Sequence, residues 1–188
     1  MTSTFIWIAG ADFVSWRAPN NNRIDLQADK ANYKVGETAS ILIPTPFQGD
    51  STALITVERG GILKTDVVTL HNNSTIYKLP ITADMAPDAF VSVTVIKDED
   101  AHNFTAAFRT GLLQLNVDTE QLQLQVSVKS DRSKVGPREQ VTYKIHVENY
   151  KGDPVQAQVG LALVDESILS LMPDDLPSLM SYFYSSQG

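Results

Sequence analysis

The side chains able to do chemistry in this 188-residue chain are three histidines, 22 carboxylates and scattered serines; cysteine is absent. His71, His102 and His146 fall in separate turns or strands and share no motif, so all three are expected on the solvated surface, with neither a metal nor a catalytic role. Without cysteine there are no disulfides, thiolate metal sites or cysteine nucleophile. Asp98-Glu99-Asp100 gathers charge that weak calcium binding would want, but the spacing of an EF-hand loop is missing, and a solvated acidic turn is expected. Asp174-Asp175 reads as helix capping. No Gly-x-Ser-x-Gly elbow frames a serine. Gly60-Gly61 lacks a phosphate-loop lysine and reads as a hairpin. Asn72, Asn73 and Asn103 head glycosylation triplets, which matter only in a eukaryotic secretory host. The residues therefore assign no catalytic, cofactor-binding or metal-binding position, and the chain is not expected to be an enzyme.

The elements that would carry these groups are strands. Hydrophobic residues at 43% and charged residues at 20% indicate a globular chain. A formal charge of −7 without a basic stripe disfavours nucleic acid and anionic membrane as partners. Short apolar runs punctuated by proline and glycine predict an all-β fold. From Arg23 the strand signals come at short intervals: Ile24 to Ala28, Thr38 to Ile43, Thr52 to Glu58, Ile62 to Leu70, Thr75 to Leu79, Phe90 to Ile96 and Phe104 to Arg109. That is the strand number of one small sandwich over residues 23–117. Residues 1–22, with Thr4 to Ile8 and then Pro19 and Asn20 to Asn22, read as the end of a preceding domain plus a linker. The run from Met1 to Gly10 is too short and too poor in base for a signal peptide or membrane span, and the chain reads as an internal piece of something longer.

Residues 118–188 open with clean alternation: Leu122, Leu124, Val126 and Val128, then Val141, Tyr143, Ile145 and Val147. Lys151-Gly152-Asp153-Pro154 turns the chain into Val155 to Val164, where odd-numbered apolar residues predict a third strand entering a core. That strand stops at Asp165-Glu166-Ser167, where a carboxylate can cap a helix over Ile168, Leu169 and Leu171. Pro173 limits that helix, and Asp175 with Pro177 suits another over Leu179 to Phe183. The second block is thus expected to be an incomplete sandwich ending in short helical turns.

An internal repeat links the blocks. Asp29-Lys30 before Lys34-Val35-Gly36 recurs as Asp131-Arg132 before Lys134-Val135-Gly136, with the two glycines 100 positions apart. Tandem immunoglobulin-like sandwiches are the natural reading. Glycine after valine suits a type II turn, whose third position needs positive φ.

The run LALVDESILSL, Leu161 to Leu171, resembles the segment leading into the bait region of the alpha-2-macroglobulin family, and the overall pattern resembles its bacterial branch. Leu26 to Phe47, with its aspartate-lysine pair, tyrosine, glycine turn and apolar strand ending in Pro-Phe, resembles the opening of a macroglobulin domain. Ala53 to Leu63 is similar to the following hairpin. The second copy departs: it lacks the tyrosine, Pro137 stands where an acid is usual, and Val35 and Val135 sit where the family often has proline. The resemblance implies macroglobulin-type β-sandwiches in a periplasmic or extracellular protease inhibitor, whose bait is cleaved before the molecule rearranges around the protease. A lipid anchor on the parent is left open. The implied partners are target endopeptidases, met through the full-length parent, and neighbouring macroglobulin domains. No cofactor is implied, and the thioester of many members cannot lie here for want of cysteine. The competing reading is a pair of immunoglobulin-like modules from a bacterial adhesin or stalk. A sugar-binding accessory module lacks the exposed aromatic row it would need.

Overall fold

Alternation of small β-branched residues with polar ones dictates the layers of the first unit. The computed structural model describes Trp16, residues 21–136, 138–165, Ser167 and residues 179–185. The expected strand at Thr4 to Ile8, the Pro19 linker, and the segment from Ile168 through Pro177 lie outside the described residues. The chain divides into two compact units, with the boundary between Asp118 and Thr119.

The first unit is built from β1 (Gln27–Ala28), β2 (Asn32–Tyr33), β3 (Thr38–Pro44), β4 (Ser51–Glu58), β5 (Ile62–Leu70), β6 (Ser74–Pro80), β7 (Asp88–Lys97) and β8 (Ala107–Val117). One sheet has the order β1-β3-β6 and the other β2-β8-β7-β4-β5. β1 pairs antiparallel with β3, whereas β2 pairs parallel with β8, so one edge segment begins in one sheet and ends in the other. The remaining ladders are antiparallel. Ile41, Ile43 and Leu79 from the smaller sheet, and Ala53, Ile55, Val57, Val91, Val93, Val95 and Leu115 from the larger, are buried almost completely. Each large side chain so buried stabilises the fold by about 1.5–3 kcal/mol.

Most expected strands stand within a residue or two of their places. The exceptions are the first, expected over Ile24 to Ala28 and found only at Gln27–Ala28, and the last. The reading Phe104 to Arg109 is corrected to Ala107–Val117. Asp100 and Asn103 exchange backbone hydrogen bonds at 2.9 and 3.2 Å, so the turn is still closing where the sequence looks strand-like, and Phe104 is left exposed. The strand then continues through Gly111 to Val117, eight residues past its expected end at Arg109. Gly60-Gly61 does join β4 to β5, but the connection is three residues, Arg59 to Gly61, beside a register shift between Val57 and Glu58. Gly60 supplies the positive φ of 64°.

The second unit contains a 3-10 turn, Glu120–Leu122, the hairpin of β9 (Gln125–Ser130) with β10 (Tyr143–Glu148), and the helix α1 (Leu179–Phe183). The expected start of β9 at Leu122 is corrected by three residues, because the amides of Leu122 and Gln123 bond back to Thr119 and Glu120 at 2.9 and 3.2 Å. A larger correction concerns Val155 to Val164, which forms no strand. The Glu148–Pro154 bridge and the Val155 amide bond to the Val147 carbonyl (3.0 Å) seat its first residue beside β10, and no ladder continues past it. Its odd-numbered residues do not enter a core: Leu161 and Leu163 are 65% and 76% exposed.

Candidate functional site

The most densely connected polar group lies where the edge segment changes sheets, between β1 and β2. Asp29 follows β1 directly, and its carboxylate accepts the Tyr33 hydroxyl at 2.7 Å and the Ser40 amide at 2.7 Å. The Tyr33 hydroxyl in turn accepts the Lys30 amide at 3.1 Å. Burial alone would raise the Asp29 pKa, but the Tyr33 hydroxyl and the Ser40 amide hold it below the ordinary aspartate value. Burial, and then the hydrogen bond to Asp29, push the Tyr33 phenol up to about 12. The next four residues, Lys34 to Glu37, make a tight turn closed by the Glu37 amide on the Lys34 carbonyl at 3.0 Å. Gly36 occupies its third position at φ 91°, as the sequence predicts. The Glu37 carboxylate folds back to accept the Lys34 amide at 3.0 Å and pairs with Lys30 at 2.9 Å.

The same device recurs in the second unit, in a different register from the one the sequence suggests. The Asp131 carboxylate accepts the Thr142 amide at 3.1 Å, Glu139 accepts the Gly136 amide at 3.1 Å, and Arg132 lies 3.8 Å from Glu139. Asp29 to Asp131, Glu37 to Glu139 and Ser40 to Thr142 are all 102 positions apart, not 100. Gly36 therefore corresponds to Arg138, which carries the matching positive φ of 67°, and the assignment of that role to Gly136 is corrected. In this register Pro137 falls opposite Val35, so the acid does not depart from the pattern: Glu139 supplies it. Sequence alignment on the visible Lys-Val-Gly triplet hid this by two residues.

A second polar cluster went unnoticed in the sequence because its members are spread over two strands. Lys64 and Asp66 on β5 meet Tyr77 on β6, closing the open side of the sandwich. Lys64 lies 2.7 Å from Asp66 and donates to the Tyr77 oxygen at 3.1 Å, while the Tyr77 hydroxyl donates to Asp66. Lys64 and then Tyr77 lower the Asp66 pKa; burial and then Asp66 raise that of Tyr77. Lys97, also unremarked in the sequence, is buried with its ammonium on the Asp50 carbonyl at 2.8 Å and on the Asp100 carboxylate.

All three histidines are exposed. His71 is exposed and 3.1 Å from Asp50, and His146 is exposed and 2.8 Å from Glu148. His71 and His102, remote in sequence, do line one open cleft of about 310 Å³ with Phe47 and Asn73. Among the described residues no three metal-binding side chains converge. Asp98 and Glu99 face solvent, and Asp100 is engaged by Lys97 and by the His102 amide at 2.8 Å. Asn73 is buried, which makes its triplet a poor acceptor in the folded state. Asp174 and Asp175 lie outside the described residues. Asp165 accepts the Ser167 amide at 2.9 Å, the hydrogen bond of a capping turn, and the Ser167 hydroxyl and amide lower its pKa.

What this arrangement offers is two turns built alike, a closed sandwich, and an exposed apolar run leading into a carboxylate-capped turn. The family model of the alpha-2-macroglobulin bait region domain matches residues 24–171. The chain belongs to this family. It is 23% identical to an alpha-2-macroglobulin homolog of Nostoc sp. over 192 aligned positions, covering 99% of the chain and 10% of that protein. It is 26% identical to an alpha-2-macroglobulin of Ralstonia nicotianae over 188 positions, covering 95% of the chain and 11% of that protein. Among solved structures it resembles the native conformation of E. coli alpha-2-macroglobulin, with a TM-score of 0.45 and 21% identity, over 74% of the chain and 9% of that one. The chain thus spans about a tenth of the length of these relatives. Within the alpha-2-macroglobulin bait region domain, the paired turns account for the aspartate, the base after it and the glutamate that the two units share. No helix among the described residues is long and apolar enough to cross a membrane.

Proposed function

We propose that this chain is a non-enzymatic structural segment of an alpha-2-macroglobulin-like inhibitor that traps endopeptidases after bait cleavage, in the periplasm or outside the cell. The observation that supports this reading is the family match from Ile24 to Leu171, which takes in the exposed run and the Asp165 turn. In this reading residues 1–22 end a preceding macroglobulin-like domain and residues 23–117 form a complete one. Residues 118–188 begin a third, leading towards the bait. The Asp165 turn fixes the near end of the cleavable segment. Exposed segments without a backbone ladder are where proteases cut first.

The test uses the full-length protein. Incubation with an endopeptidase is expected to produce early cuts beyond the Asp165 turn, a change in sedimentation, and loss of activity on a large substrate with activity on a small one retained. The isolated 188-residue chain is expected to inhibit nothing. Cuts scattered among interdomain linkers, without a change of shape, would overturn the trap and leave the adhesin or stalk reading.

A further inference from the structure

The outward face of the five-stranded sheet is nearly free of charge. The chain holds 15 basic and 22 acidic residues. Among the outward positions of β4, β5, β7 and β8, the charges are Glu58 and, at the end of β7, Asp88, which is buried and accepts the Gln114 amide at 2.9 Å. Val67 lies opposite Leu54 across β5 and β4, and Ile96 lies opposite Phe108 across β7 and β8. Leu112 follows further along β8. All five are exposed, Val67 at 69%. Threonines and a serine fill the places between: Thr94 opposes both Leu54 and Thr110, and Ser92 opposes Leu112. A face meant to stay in water carries charge to keep sheets from sticking. Depletion of charge around aromatic and aliphatic side chains is the composition of an interface centre.

We propose that this face seats another β-sandwich domain of the same polypeptide. The inference rests on the reading above, that the chain is a segment of a longer inhibitor. Two observations choose this occupant. The matched region is only 10% of the Nostoc relative and 11% of the Ralstonia one, so in such proteins tethered neighbours are present at high effective concentration. A tethered neighbour needs little affinity, and the face is of that kind: isolated apolar side chains spaced by hydroxyls. An obligate dimer of separate chains wants a larger and more continuously apolar surface.

The chain has no cysteine, so a Thr94→Cys variant carries one thiol at the centre of the face. Its reaction with a maleimide is to be followed in the isolated chain and in the full-length protein without protease, with the labelled peptide identified by mass spectrometry. The expected result is reaction at least tenfold slower in the full-length protein, with the rate restored by denaturant. Equal rates in the two would overturn the proposal. So would slow reaction in the isolated chain accompanied by a doubled mass, which would assign the face to a second copy. A full-length protein that traps proteases yet reacts quickly would sink only the face. One that reacts slowly but traps nothing would sink only the inhibitor.

Discussion

The Asp29 carboxylate accepts the backbone amide of Ser40 at 2.7 Å, and this bond fixes the point where the edge segment leaves one sheet for the other. Asp131 repeats the bond to Thr142 at 3.1 Å in the second unit. The two differ in what surrounds them. Tyr33, only 1% exposed, adds a second donor to Asp29, while Val135 stands at the corresponding position and can donate nothing. Asp29→Ala would leave a buried hydroxyl and a strand amide without their acceptor and is expected to cost about 1–3 kcal/mol. Asp131→Ala is expected to cost under about 1 kcal/mol, since its partner remains open to water. Urea denaturation of the two variants checks the order; a larger loss at Asp131 would contradict it.

The positive-φ positions predict opposite effects for two substitutions. Gly36 at φ 91° admits no β-branched side chain cheaply, so Gly36→Val is expected to destabilise by about 1–3 kcal/mol. Arg138 at φ 67° is already strained, and Arg138→Gly is expected to be neutral or to stabilise by up to about 1 kcal/mol. Val35→Pro, which imports the residue found opposite it in the second unit, should be neutral or mildly stabilising. Chemical denaturation measures all three.

Alkaline stability should hinge on Tyr33. Its pKa is raised from 10.0 to about 12 in the folded state, so the folded form holds the proton more tightly than the unfolded one. That contribution is complete below pH 10 and disappears as pH climbs to about 12. Tyr33→Phe is expected to be less stable at neutral pH and to lose less between those values. The Asp29 shift acts at the other end: a lowered pKa gives stability above about 3.8 that is lost as pH falls below it. Unfolding midpoints across pH, with and without Tyr33→Phe, test the alkaline limb.

Among the described glycines, Gly111 is the one most closely approached by its neighbours. A Cβ there would lie 2.7 Å from Leu26 Cγ and 2.8 Å from the Ile24 carbonyl oxygen. The segment from Asn22 runs against β8 at this point, with Thr110 donating to the Asn22 carbonyl and Ile24 donating to that of Thr110, both at 2.8 Å. Gly111→Ala must therefore push the segment off, at a cost of about 1–3 kcal/mol. Hydrogen exchange should show Ile24 and Thr110 losing protection first; unchanged protection would mean the backbone yields elsewhere.

The sandwich was legible because its central strands obey one rule without exception. From Ala53 to Val57 and from Val91 to Val95 every second residue is buried, and no local signal competes. The turn at Gly36 was legible because only one residue type fits it easily. Its counterpart was not, because Arg138 takes the same conformation without looking like a turn residue, while Gly136 looks like one and does not. The Lys64, Asp66 and Tyr77 cluster and the shared cleft of His71 and His102 come from pairings between distant strands and loops, which spacing along the chain does not record. Val155 to Val164 shows the reverse failure: the alternation is present, but a strand also needs a partner along its length, and β10 supplies one only as far as Val155.

That unladdered run makes the last prediction. Protease active sites bind substrate extended, so susceptibility requires about ten residues free of backbone ladders and open to solvent. Among the described residues, 156–164 meet this: they form no strand and are exposed throughout. The loops of the first unit are shorter or tied, as at Asp100 with Asn103 and at Arg59 with Gly61. Leu161 and Leu163 offer apolar side chains to a chymotrypsin-like or elastase-like enzyme. Limited digestion of the isolated chain, read by mass spectrometry, is expected to cut there before anywhere between β3 and β8, leaving the first unit as a resistant core. First cuts inside the first unit would show that it opens more readily than its buried strands imply. Replacing Leu161 and Leu163 by aspartate should delay cleavage by these enzymes without lowering the unfolding midpoint of the core. A lowered midpoint would mean that the run contributes to the packing of the first unit after all.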